Sequence, residues 1–135
     1  MPAANKLSID VAAGILHDEF GRVLIAQRPV GGHMAGWWEF PGGKIATAES
    51  AYEGLVRELA EEIGITVHDA REFLTTMHEY PDRSVTLHVF LVHQYSGRPM
   101  SIEGQELRWE PVDSLMAAGL LPADRPIVDA LRSMP

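Results

Sequence analysis

Residues 43–65 read GKIATAESAYEGLVRELAEEIGI. Glu58, Glu61 and Glu62 stand three and four places apart, a spacing that puts all three carboxylates on one face of an α-helix, about a turn apart. Like charges so placed repel, so a helix carrying them is weaker unless a cation sits among them. A solvated acidic face is the plain reading of a Glu-rich helix. A dense set of carboxylate oxygens also suits a hard cation such as Mg2+, which commonly bridges to substrate phosphates. The spacing predicts a helix that starts near residues 47–49 and ends at Gly64. Leu55, Leu59 and Ile63 form its buried stripe, extended a turn by Ala51, and the glutamates face away from that stripe toward a cleft. Gly64 fits a left-handed C-terminal cap. Gly54, inside the helix, costs up to ~1 kcal/mol relative to alanine, and the sequence offers no reason for it.

The order of residues is more specific than the charge pattern. It runs G-x5-E-x7-R-E-U-x-E-E-x-G-U, with U a bulky aliphatic, and Gly43, Glu49, Arg57, Glu58, Leu59, Glu61, Glu62, Gly64 and Ile65 fill every defined place. This resembles the box of the Nudix hydrolase family. The resemblance implies an enzyme that hydrolyses a nucleoside diphosphate linked to another moiety, with divalent metal held by the box glutamates.

The rest of the chain is compatible with that. Its 135 residues suffice for one domain, residues 1–135, and a composition of 46% hydrophobic and 22% charged residues is that of a globular protein with a core. There is no cysteine, hence no disulfide framework and no thiolate metal site. No apolar run has the length of a signal peptide or a membrane span, so the expected place is the cytoplasm, with no membrane partner. A net charge of −8 argues against a nucleic-acid partner. It sits oddly with a polyanionic substrate unless bound cations set the local field.

Strands are expected over residues 7–16 and 22–27, with a turn between them. Residues 29–36 read as a loop. Residues 72–80 and 84–94 read as a hairpin about Pro81, Asp82 and Arg83, with alternation in Val85, Leu87, Val89 and Leu91. A short strand around Trp109, a helical turn at 111–114 and a C-terminal helix over 126–132 complete the chain. The expected class is α+β, a mixed β-sheet sandwiched between α-helices. The Nudix resemblance implies the same fold more strongly than the pattern does.

Outside the box, residues 26–44 (AQRPVGGHMAGWWEFPGGK), 80–83 (YPDR) and 121–128 (LPADRPIV) resemble MutT-type 8-oxo-dGTP pyrophosphohydrolases, a Nudix subgroup. A sister group acting on CTP and modified pyrimidine nucleotides shares much of this. The resemblance assigns nucleotide contacts to Arg28 and His33, a pocket aromatic to Phe40, and a nucleotide-wrapping loop to Glu39, Phe40, Pro41 and Gly42. It makes the Gly42 carbonyl a metal ligand beside Glu58, Glu61 and Glu62. It places Asp82 in the base pocket. Arg28 has a physical case of its own, because a permanently charged forked donor suits phosphate or a guanine edge. Asp124 stands where the bacterial enzymes often carry Asn; it reads the base, caps the following helix, or does both. A fourth acidic group is expected from the loop before Trp109. Glu106 is favoured there and Glu103 is next.

Together these readings imply Mg2+-dependent hydrolysis, with Mn2+ as a substitute, of a nucleoside triphosphate to monophosphate and pyrophosphate. The substrate that the MutT-type resemblance implies first is 8-oxo-dGTP, in the service of nucleotide-pool sanitation. Arg57 would orient the glutamates through Glu49 or Glu61. The rivals are CTP or oxidised pyrimidine nucleotides and, from another class, a Nudix domain that only senses a nucleotide. Monomer and homodimer are equally open.

Overall fold

The computed structural model describes residues 6–134. Residues 1–5, on which the expected absence of a signal peptide partly rests, and residue 135 lie outside it. Successive side chains of a strand point to opposite faces, and in β1 (Leu7–Ile15) the two faces divide the core. Ala12, with Leu16 just beyond the strand, packs with Leu55, Leu59 and Ile63 of α1 (Ala51–Ile63). Ala13 and Ile15 pack with Ile127, Val128 and Leu131 of α2 (Arg125–Arg132).

The expected sandwich therefore forms, but with two sheets where the sequence suggested one. β4 (Gly42–Lys44), β1, β6 (Arg83–Ser96) and β5 (Thr66–Glu79) make a four-stranded sheet in that order, with β1 parallel to β6 and the other pairs antiparallel. β3 (Trp38–Glu39), β2 (Val23–Gln27) and β7 (Leu107–Glu110) make a separate antiparallel sheet.

α1 begins at Ala51, later than the expected 47–49. Ser50 is the N-cap: its hydroxyl accepts from the Glu53 amide at 3.1 Å, and the Glu53 carboxylate accepts from the Ser50 amide at 2.8 Å. This reciprocal capping box fixes the start. The helix ends as expected, at Gly64 with φ 71°. A Cβ at Gly54 would lie 3.2 Å from Ile45 Cγ1 and 3.3 Å from Glu49 Oε1. The glycine in mid-helix is what lets α1 lie this close to residues 45–49. β5 begins six residues earlier than the sequence suggested, because breaks in register between Val67 and Leu74 scramble the alternation that marks a strand. Among the described residues no helix is long and apolar enough to cross a membrane.

Candidate active site

Cross-strand rows build the floor of a cleft of about 240 Å³. Ile9 pairs with Val85, which pairs with His78; Val11 pairs with Leu87, which pairs with Thr76. These side chains share one face of the larger sheet and line the cleft. Phe40, just after β3, and Leu121 and Asp124, in the segment leading into α2, line it from the other side, and Arg28, His33 and Glu39 complete its polar wall.

Arg28 is held on two sides. Its Nε donates to the His33 carbonyl at 2.7 Å and its Nη1 donates to Glu39 Oε1 at 2.7 Å. Burial still raises the Glu39 carboxyl above its ordinary range, against the pull of Arg28. Asp124 is 5% exposed and makes no side-chain cap bond to α2, although it occupies the N-cap position. The capping alternative is thus not realised. Burial first, then the charge of Glu39, pushes Asp124 up to about 7.

Beside the cleft, α1 presents its acidic face. Arg57 donates Nε and Nη2 to the two oxygens of Glu49, at 2.6 and 2.9 Å. It also donates Nη1 to Glu58 at 3.3 Å and to Glu61 at 3.1 Å, and Nη2 to the Lys44 carbonyl at 2.9 Å. Both sequence-level options for Arg57, Glu49 and Glu61, are therefore met, and Glu58 is added. Hydrogen bonding to Arg57 holds the Glu49 carboxyl down at about 2. Glu62 accepts from the Gly42 amide at 3.3 Å. Burial, followed by the charges of Glu39, Glu103 and Glu58, pushes Glu62 up to about 8. Burial likewise raises Glu58.

Among the described residues no three acidic or histidine side chains converge on one point: Glu58 and Glu61 turn to Arg57, and Glu62 to the Gly42 amide. The donor set nevertheless fits a divalent cation. Two crowded carboxyls, Glu58 and Glu62, are raised by burial and by their acidic neighbours, which is the condition a cation relieves. A Cβ on Gly43 would lie 2.1 Å from Glu58 Oε2, so the bare glycine backbone is the cradle in which that carboxylate rests.

Two named residues fall elsewhere. The Asp82 side chain is 67% exposed and pairs with Arg83 at 3.0 Å, and it is Arg83 that lines the cleft. Pro41 is buried beside the cleft with its carbonyl taken by the Gly14 amide at 2.9 Å, so it fixes the loop. Of the loop glutamates, Glu103 contributes charge to both Glu58 and Glu62. Glu106 has an exposed side chain, and its carbonyl accepts from the Gln27 amide, prolonging the β2–β7 pairing. The sequence reading missed the wall made by Thr76, His78, Tyr80 and Arg83. His33 and Tyr80 meet edge to face at 4.9 Å, and Tyr80 meets His78 at 4.6 Å. The signal was present as period-two alternation across the two strands.

A model of the NUDIX domain matches residues 11–130. An 8-oxo-dGTP diphosphatase of Escherichia coli strain K12 is 37% identical over 126 residues, covering 93% of this chain and 98% of that protein. A CTP pyrophosphohydrolase of the same organism is 36% identical over 126 residues, 93% of each chain. Among solved structures, the MutT NUDIX hydrolase from Burkholderia pseudomallei superposes with a TM-score of 0.82 at 27% identity, covering 96% of this chain and all of that one.

Proposed function

The chain belongs to the NUDIX domain family, as a hydrolase of nucleotide substrates that works with a divalent metal, and we propose that its substrate is 8-oxo-dGTP, cleaved to the monophosphate and pyrophosphate with Mg2+. The observation that carries this is the cleft with Arg28, Glu39 and Asp124 in its wall, joined through Gly42 and Gly43 to the acidic face of α1. One end offers polar groups suited to a base, and the other offers carboxylates suited to a metal–phosphate group.

Glu58, Glu61, Glu62 and the Gly42 carbonyl are the groups that would hold Mg2+, with Glu103 as the fourth acidic residue in preference to Glu106. When bound, the cation offsets phosphate charge and makes a water a better nucleophile. Arg57 keeps Glu58 and Glu61 aimed while Glu49 anchors Arg57 from behind. Phe40 and the sheet floor bury the base. Asp124 accepts a hydrogen bond when ionised and can also donate when protonated, so it can meet a base edge whose donors and acceptors differ from those of guanine. Arg28, steadied by Glu39 and the His33 carbonyl, supplies its remaining donors to the nucleotide. The whole of residues 1–135 is read as this one domain, working in the cytoplasm.

The CTP pyrophosphohydrolase relative, matched over as much of the chain, supports cytosine nucleotides as the second reading. Steady-state kinetics with 8-oxo-dGTP, dGTP and CTP side by side decide between them. The proposal expects the highest kcat/KM for 8-oxo-dGTP; a higher value for CTP overturns it.

A further inference from the structure

The last carbonyls of an α-helix have no partner within the helix and need one from outside. In α1 the last two carbonyls, of Glu62 and Ile63, find theirs in the segment that precedes Glu103. The Met100 amide donates to the Ile63 carbonyl at 3.0 Å, and the Ile102 amide donates to the carbonyl of Glu62 itself at 3.2 Å. The side chain of Ile102 completes the docking. A Cβ built on Gly64 would lie 2.8 Å from Ile102 Cδ1, so the isoleucine occupies the space that the glycine leaves open. Gly64 therefore has a second task beyond its left-handed φ. Ile102 is 53% exposed, far more than a core residue, yet it is seated on the end of the box helix one residue before Glu103.

We propose that Ile102 is a positioning residue: seated on Gly64 and tied by its amide to Glu62, it sets where Glu103 stands relative to Glu58 and Glu62. The inference rests on the reading of Glu103 as the fourth acidic group. It follows from the order of the chain. Glu103 lies on an exposed loop, and a loop carboxylate is held near a fixed site only if its neighbours are anchored. Two backbone hydrogen bonds and one apolar contact, all on the last turn of α1, provide the anchor. The charge of Glu103 is felt at both Glu58 and Glu62, as this placement requires.

The test is a double-mutant cycle on Mn2+ affinity, read by electron paramagnetic resonance of free Mn2+ without substrate. The four proteins are wild type, Ile102→Ala, Glu103→Gln and the double variant. Each single change is expected to weaken Mn2+ binding about tenfold. The double variant is expected to bind no more weakly than Glu103→Gln alone. Ile102→Val, which keeps a branched side chain over Gly64, should restore most of the affinity. Thermal unfolding of all five proteins checks that the fold persists. If Ile102→Ala weakens binding equally with and without Glu103, the residue does not act through that glutamate and the inference fails. It also fails if Ile102→Ala binds Mn2+ like wild type while Glu103→Gln is weakened. If Glu103→Gln itself binds like wild type, the reading of Glu103 falls, and the inference falls with it.

Discussion

Arg57 grips both carboxylate oxygens of Glu49, at 2.6 and 2.9 Å, and with its third nitrogen reaches Glu58 and Glu61. One guanidinium thus links a carboxylate outside α1 to two of the carboxylates proposed for metal binding. A planar fork can do this, whereas an ammonium on a flexible stem cannot.

Arg57→Lys keeps the charge and loses the fork. It should weaken Mn2+ affinity by about 10- to 100-fold, the usual effect of removing support behind a ligand. Glu49→Gln should fall in the same range, because it releases Arg57. An affinity for Mn2+ equal to wild type in Arg57→Lys would mean that charge alone suffices. The depressed carboxyl of Glu49 also has a pH consequence. Its ion pair stabilises the fold fully above the ordinary range near 4.5, and that contribution is lost as pH falls toward about 2.

The two adjacent glycines should behave differently. A Cβ at Gly42 would meet the Ala12 carbonyl oxygen at 2.0 Å, against paired backbone that cannot move. Gly42→Ala should therefore destabilise the protein strongly. The three atoms nearest a Cβ at Gly43 all belong to the Glu58 carboxylate, the free end of a flexible side chain. Gly43→Ala should leave the thermal midpoint nearly unchanged while expelling Glu58 from its cradle and weakening Mn2+ binding about tenfold. Equal loss of stability in the two variants would contradict this account.

Much of this site is local in sequence, which is why it was legible there. The glutamate face, the buried stripe of Leu55, Leu59 and Ile63, and the cap at Gly64 all follow from helical period within one segment. The start of α1 is equally local, since Ser50 and Glu53 spell a capping box. The first half of β5 was hidden by its breaks in register. Other features depend on contacts distant in the chain. Nothing in the loop containing Glu103 and Glu106 reveals that Met100 and Ile102, just before it, dock on the end of α1. Asp82 and Arg83 are neighbours at a turn, and only the pleat of β6 determines that Arg83 turns inward. Asp124 sits at the N-cap position but makes no side-chain cap bond and is buried, which its sequence neighbours do not reveal.

Asp124 should report its burial through pH. Its folded carboxyl is raised to about 7 from an ordinary 3.8, so the folded protein holds a proton that the unfolded chain releases. Stability attributable to this group therefore falls as pH rises from about 4 to about 7 and is level above, by up to roughly 4 kcal/mol. Asp124→Asn removes the titration. The variant should be more stable than wild type at pH 8, with the difference closing by pH 4, as measured by urea unfolding at both. A difference independent of pH would show that Asp124 is not held protonated. The same variant should change the ratio of kcat/KM between 8-oxo-dGTP and dGTP, because a buried site discriminates by leaving wrong partners unsatisfied.

The bond that breaks can be read directly. If water attacks the β-phosphorus, hydrolysis in 18O-labelled water places the label in pyrophosphate. Label in the monophosphate would show attack at the α-phosphorus and require a different placement of the phosphates along α1.

The central claim is that the carboxylate face of α1 holds the metal that drives hydrolysis, with Glu62 on that face beside the Gly42 amide. Glu62→Gln keeps the size and the hydrogen bond from the Gly42 amide and removes the negative charge. The decisive measurement is kcat for 8-oxo-dGTP with saturating Mg2+ in this variant, alongside its circular dichroism. The account predicts a native spectrum and a loss of at least about 100-fold, roughly 3 kcal/mol of transition-state stabilisation. A native spectrum with wild-type kcat and wild-type Mg2+ dependence would contradict it.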